Sequence, residues 1–327
     1  MKGLTPLRGI AALAVLLVHA GVPFHGYLGV DLFFILSGFV LMHAYGEIEP
    51  RRGYWSFLKA RLARIYPVHL VVLALLLPAF GRSGFGLHGL LASLFLMQSP
   101  WYHRCWNFVS WSISAEWHAY LVFPFIAVLL RPRSKAALIA LLCACGVGIV
   151  VFQYAAPKAN VTDTPWILWR LLPEFVAGMV LYRIRAARLI GSDGMVVTGA
   201  VAIIALQIFG VGDAATILVM PLLLLGAAND ETRFARILDW RPLRYLGEIS
   251  YSVYMIQMWV QIVTLTLLQE LFPALPNWIA NAAFVPLTIL LAIPLSRFVE
   301  YPARDWIKRL AWPRAASRPA PTTDAVA

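Results

Sequence analysis

The sequence predicts an all-α integral membrane protein of about ten transmembrane helices plus one short re-entrant or interfacial segment. Three observations carry that prediction. Of 327 residues, 61% are hydrophobic and 13% charged, with a mean hydropathy of +0.74, whereas soluble chains are about 45–50% apolar and about 25% charged. A chain this apolar cannot keep a water-facing surface. The apolar residues also gather into segments near the roughly 20 residues that a spanning helix needs. Finally, basic residues fall between those segments, in the runs RRGYWSFLKARLAR, RPRSK, RIRAAR and RPLR and in the C-terminal tail.

Taken in chain order, the predicted spans are 7–22, 28–45, 62–80, 114–131, 136–154, 166–183, 195–211, 213–229, 249–270 and 279–298. The stretch LHGLLASLFLMQS, 87–99, is apolar but short, and reads as the re-entrant or interfacial piece. With the N-terminus inside, ten spans place 46–61, 131–135, 184–194, 230–248 and 299–327 in the cytoplasm, together with nearly all the basic runs. The opposite loops 23–27, 155–165 and 271–278 are almost free of them, as the positive-inside rule requires. Counting 87–99 as a full span would put RPRSK outside. Both termini are therefore expected in the cytoplasm. Trp101, Trp106, Trp111 and Trp117 mark the outer interface. The Pro-, Ala- and Ser-rich tail 313–327 is expected to be disordered, which leaves 1–312 as the membrane domain.

Several function classes drop out. The net charge of +11 is spread in the positive-inside pattern, so no nucleic-acid partner is expected. Cys143 and Cys145 point to different faces of a helix and Cys105 stands alone, so neither a disulfide framework nor a metal site is expected. Lys2, Arg8 and the run ending VHA would suit a signal peptide, but the apolar pattern continues beyond them. No GxGxxG, Walker loop or internal repeat is present.

Ionisable side chains at membrane depth are costly without a partner, and they direct attention to function. In LRGIAALAVLLVHA, Arg8 and His19 are eleven residues apart. At about 100° per residue they share one helix face, roughly 16 Å apart along the axis. Arg8 then sits near the inner surface and His19 in the outer half. In GYLGVDLFFILSGFV, Asp31 falls near the depth of His19, where a carboxylate would fix the imidazole tautomer; a helix N-terminal carboxylate favoured by the dipole is the simpler reading. Arg61 and Arg64 share a face at the inner mouth of the third span and suit phosphate oxygens or anionic lipid. Glu116 and His118 stand near the outer entry of the fourth span, where Glu116 could orient a base or bind a substrate hydroxyl. Arg170 and Glu174, four apart, are expected to neutralise each other.

Together these residues make the chain resemble the membrane acyltransferase-3 family, bacterial enzymes that O-acylate surface and exported carbohydrates. The resemblance runs from LRGIAALAVLLVHA through GYLGVDLFFILSGFV, FLKARLARIYP, SWSISAEW, LLPEFVAGM and LGEISYSVYMIQ to FVEYPARDW. It implies paired essential roles for Arg8 and His19, an acyl-CoA donor site at Arg61 and Arg64, and acidic motif positions at Asp31 and Glu116. One departure is plain: where the family often has histidine after SYSVYMI, this chain has Gln257.

The implied reaction carries an acyl group, in the first instance acetyl, from cytoplasmic acyl-CoA to a carbohydrate hydroxyl at the outer face of a bacterial inner membrane. His19, oriented by Asp31 or Glu116, would serve as general base or carry the acyl group itself. The partners expected are acyl-CoA, a carbohydrate acceptor and membrane lipids, with no metal. Succinyl in place of acetyl fits equally. A sugar transporter, whose charged pairs would line a translocation path, and a non-catalytic envelope scaffold are the other classes the residues permit.

Overall fold

Helices form wherever the apolar runs predict them. The computed structural model describes residues 1–80, 86–99, 101, 106–131, 134–155, 166–186, 191–273 and 276–310. Among the described residues the α-helices are α1 (Leu4–His19), α2 (Gly29–Tyr45), α3 (Pro50–Phe80), α4 (Gly86–Leu94), α5 (Trp111–Leu129), α6 (Lys135–Ala155) and α7 (Trp166–Ala186). They continue with α8 (Asp193–Ile208), α9 (Asp213–Ala228), α10 (Arg233–Leu238), α11 (Arg241–Glu248), α12 (Ser250–Leu271), α13 (Asn277–Leu295) and α14 (Tyr301–Arg309), and no strand occurs.

A helix occupies each of the ten predicted spans, and among the described residues six stretches are long and apolar enough to cross a membrane. These are Gly26–Tyr45, Pro50–Pro78, Phe108–Leu129, Lys135–Ala155, Ser250–Leu268 and Trp278–Arg309. Helices α1, α8 and α9 are apolar but shorter, and α7 carries Arg170, Glu174, Arg183 and Arg185. The third helix starts at Pro50, not near 62, so RRGYWSFLKARLAR is helical where a loop was expected. Its buried Phe57 and Leu58 explain the extension, because Phe57 stacks on Phe123 of α5 at 5.0 Å and pins that turn to the bundle. The expected loops 230–248 and 299–310 likewise hold the short helices α10, α11 and α14. Cys105, the loop 156–165 and the tail 313–327 lie outside the described residues.

The short insertion is α4, nine residues long, about 14 Å at 1.5 Å per residue and far below the bilayer core of about 30 Å. Irregular backbone at membrane depth needs internal partners. Tyr66 of α3 donates to the Leu94 carbonyl at 2.8 Å, and His69 bonds the Ser93 carbonyl at 2.8 Å. Ser114 of α5 then takes up the Leu96 and Ser99 carbonyls, and Gln98 donates to the Ser110 carbonyl at 3.1 Å. The polar residues of this region therefore stitch a non-spanning hairpin to α3 and α5.

Helices α2 and α7 approach most closely through glycine. A Cβ on Gly38 would lie 1.9 Å from the Phe175 carbonyl oxygen, and one on Gly178 would lie 2.0 Å from that of Ile35. Small residues are what let membrane helices pack backbone to backbone. The buried core runs between α2, α3, α5, α7 and α12, with a second cluster where α1 and α2 meet α9. Side chains such as Val147, Val151, Val201, Ile204 and Leu290 are exposed and form the faces suited to lipid.

Candidate active site

Five helices, α1, α2, α3, α5 and α12, surround a cavity of about 120 Å³. Its polar lining includes Arg8, Ser37, Arg61, Arg64, Glu116 and Tyr120, together with hydroxyls of α5 and α12 such as Ser112 and Ser250, set against apolar walls that include Phe33, Phe34 and Ile113. Helical periodicity explains the α2 contribution. Val30, Phe33, Phe34, Ser37, Val40 and Leu41 line the cavity, with Leu36 beside them, a face repeating mostly every three to four residues.

The three arginines differ in how they are held. Arg8 has no hydrogen bond or ion pair among the described residues; its field comes from Arg64, which repels it, and from Glu116, Tyr120 and Glu300, which attract it. Arg61 lies over the rings of Tyr45 at 5.1 Å, Phe57 at 5.9 Å and Tyr120 at 6.0 Å. Its Nη2 donates to the Tyr45 hydroxyl at 3.3 Å, while its buried Nε finds no partner. Arg64 is committed to Glu300, with Nη1 2.6 Å from Oε1. Glu300 is buried at the end of a π-helical turn, Ser296–Glu300, and its other oxygen accepts from Ser252 at 2.7 Å. Glu116 accepts a hydrogen bond from Ser37, with Tyr120 lining the cavity beside it. Three guanidinium groups against the carboxylates of Glu116 and Glu300 leave the site positive, and low dielectric strengthens its pull on an anion.

His19 lies outside the cavity lining. Its Nδ1 bonds the Val15 carbonyl at 2.9 Å, and Gln261 of α12 donates to its own carbonyl at 2.8 Å. With Nδ1–H donating to Val15, Nε2 carries the lone pair. A backbone carbonyl of α1 therefore orients the imidazole, in place of the expected Asp31 or Glu116.

Asp31 goes elsewhere. Arg170 of α7 grips it with Nε to Oδ1 at 2.7 Å and Nη2 to Oδ2 at 2.6 Å. The reason lies in the helix faces: Asp31 shares its stripe with Ile35 and Gly38, the stripe that meets α7. The expected Arg170–Glu174 pair is corrected by the same geometry, since the two-pronged fork of Arg170 is taken by Asp31, leaving the buried Glu174 with an unpartnered Oε2. His118 bonds the Ser114 carbonyl at 2.8 Å and accepts from Trp101 at 3.0 Å. Gln257 is buried, donates to the Tyr254 carbonyl at 3.0 Å and leaves Oε1 without a partner.

The cavity thus unites Arg8, Arg61, Arg64 and Glu116, and separates them from His19 and Asp31. Sequence reasoning passed over Ser37, Tyr120 and Glu300. Each carried a signal: Ser37 is the serine of ILSGF, Tyr120 stands four residues after Glu116, and Glu300 is a lone carboxylate ending an apolar helix.

Known proteins place this arrangement. The chain is 28% identical over 313 residues to acyltransferase MdmB of Streptomyces mycarofaciens, covering 80% of this chain and 79% of that one. It is 26% identical to the putative peptidoglycan O-acetyltransferase YrhL of Bacillus subtilis, covering 93% of this chain and 55% of that one. To the O-acetyltransferase OatA of Staphylococcus aureus it is 24% identical, covering 78% and 49%. A stretch of 81 residues is 48% identical to protein 2 in the picA locus of Rhizobium radiobacter, covering 23% and 42%. The chain spans about half the length of YrhL, OatA and the picA-locus protein. No solved structure matches it. The profile of the family described as an acyltransferase domain matches residues 1–297, so the chain belongs to the acyltransferase-3 family.

Proposed function

We propose that the protein is a multi-pass membrane O-acyltransferase that moves an acetyl group from cytoplasmic acyl-CoA to a hydroxyl of a surface or exported carbohydrate. The observation that carries this reading is the positive cavity, in which Arg8 has no partner and Arg61 has no carboxylate. Planar guanidinium forks match phosphate oxygens, and coenzyme A brings several. Ten spans with both termini cytoplasmic, in a bacterial inner membrane, put the arginine end of the cavity on the side where that donor is found. The likeness to the O-acetyltransferases YrhL and OatA supports an O-linked acceptor. Residues 1–312 form the working unit of this proposal.

His19 presents its Nε2 lone pair to the acceptor hydroxyl at the outer end of α1, as hydrogen-bond acceptor and base. General-base assistance is typically worth about 10²–10⁴-fold. His19→Ala should therefore lower acyl transfer by about that factor, measured with purified protein in detergent, where no gradient can drive transport. The unfolding temperature should stay near that of the parent. Undiminished transfer by this variant overturns the assignment.

A further inference from the structure

The cavity contains a nucleophile and a base that the reading above leaves unused. Ser37 stands midway along α2, between Gly29 and Tyr45, and therefore near the middle of the membrane. Serine in an apolar helix ordinarily bonds the carbonyl one turn before it. Ser37 instead donates across to the Glu116 carboxylate of α5. Tyr120, one turn further along α5, lines the same cavity. Arg8, without a hydrogen bond or ion pair among the described residues, lies there too. A hydroxyl bonded to a carboxylate and a free cation for the developing oxyanion are parts of an activated nucleophile.

Size points the same way. The cavity of about 120 Å³ is smaller than the roughly 150 Å³ that accommodates one benzene. It has room for an acetyl group beside the Ser37 hydroxyl.

We propose that Ser37 is the first acceptor of the acyl group and holds it as an ester between the two half-reactions, a step that rests on the acyltransferase reading above. Ser37 Oγ bonds to the acyl carbon, the carbon–sulfur bond breaks and its electron pair goes to sulfur. The serine proton passes through Glu116 to that sulfur, and the free thiol leaves toward the cytoplasm. In the second half the acceptor hydroxyl attacks the ester carbon. The bond to Ser37 Oγ breaks, His19 takes up the hydroxyl proton and passes it to solvent, and Ser37 regains a proton from water through Glu116. His19 lies outside the cavity, so at Ser37 the proton is moved by Glu116. The arginines hold the donor, and Arg8 stabilises the negative oxygen in both halves.

The test incubates the purified full chain in detergent with acetyl-CoA and no acceptor. It follows free thiol, maps acetyl groups by peptide mass, and records the unfolding temperature with and without acetyl-CoA. One thiol released and one acetyl gained per protein, on the peptide containing Ser37, is the expected result. Ser37→Ala should gain none while keeping its unfolding temperature, and Glu116→Gln should gain it far more slowly. Ser37→Cys should carry the acetyl as a thioester, which neutral hydroxylamine cleaves while leaving the serine ester intact. Thiol release without an adduct, or an adduct that persists in Ser37→Ala, overturns the Ser37 step and leaves the acyltransferase reading standing. So does stabilisation by acetyl-CoA with neither thiol nor adduct. If acetyl-CoA neither stabilises the protein nor loses its thiol, the donor reading itself falls, and the Ser37 step with it.

Discussion

Asp31 and Arg170 exchange two hydrogen bonds, at 2.6 and 2.7 Å, across residues 139 apart in the chain. Arg170 also lies over the Trp111 ring at 5.7 Å, and the buried carboxylate of Glu174 sits on the same helix one turn away. Removing one member of such a pair strands a charge in low dielectric, which costs about 3–5 kcal/mol. Asp31→Asn should therefore destabilise the protein by about that amount, read from thermal unfolding in detergent. The double variant Asp31→Asn with Arg170→Met should recover part of the loss, because the guanidinium no longer stands without Asp31, while the buried Glu174 stays in both. Additive losses would show that the two side chains are not coupled. The contrast with Arg8 is instructive: one arginine is spent on architecture, while the other is kept free in a cavity, and only the first should show this coupling.

Helix α2 presents two stripes to its neighbours. One faces α7 through Asp31, Ile35 and Gly38, and the other lines the cavity through Phe33, Ser37 and Val40, the last of them also exposed. The α7 stripe tolerates no added volume, since a Cβ on Gly38 would lie 1.9 Å from a carbonyl oxygen. Gly38→Ala should cost about 1–3 kcal/mol by overpacking and lower transfer by displacing Ser37. Gly194→Ala in α8, whose nearest neighbour is 3.7 Å away, should be close to neutral. Equal losses at both sites would contradict the close-packing account. At the start of α8, Asp193 accepts the Phe234 N–H at 2.9 Å and the Arg233 N–H at 3.1 Å. Those two donors, with Arg233 and Arg236 adding charge, hold its carboxyl below the usual carboxylate range. A depressed carboxyl stabilises the fold above its unfolded value of about 3.9 and loses that contribution as pH falls through its folded value. The Phe234 and Arg233 amides should therefore exchange faster with solvent once pH drops below about 4. In Asp193→Asn they should be fast at neutral pH already, and slow exchange there would count against the contact.

For the whole molecule, an even number of crossings puts both termini on one side. Reporter fusions at the N- and C-termini should both be active only in the cytoplasm, and an externally active C-terminal reporter would break the ten-span arrangement. Much of this architecture is legible in composition and charge. Apolar runs marked each spanning helix because lipid leaves the backbone no other partner than itself. Basic runs propose the sides, and the shortness of 87–99 agrees with the nine residues of α4. Helix boundaries were less legible: the twelve residues that extend α3 back to Pro50 carry four basic side chains, which read as a loop, and they are helical because Phe57 packs on α5.

The residue types of the site, and the face shared by Arg8 and His19, follow from the sequence, since spacing along one helix is a local property. Neighbourhood is not local. Nothing in GVDLFF says that Asp31 meets Arg170 and not His19, nor in RLARIYP that Arg64 is held by Glu300, 236 residues away. Periodicity tells which residues share a stripe; which helix that stripe meets depends on how the helices pack, here on the glycine crossing of α2 with α7 and the π-helical turn before α14. The cavity, with Ser37 against Glu116 and Arg8 free beside them, exists only once five helices converge.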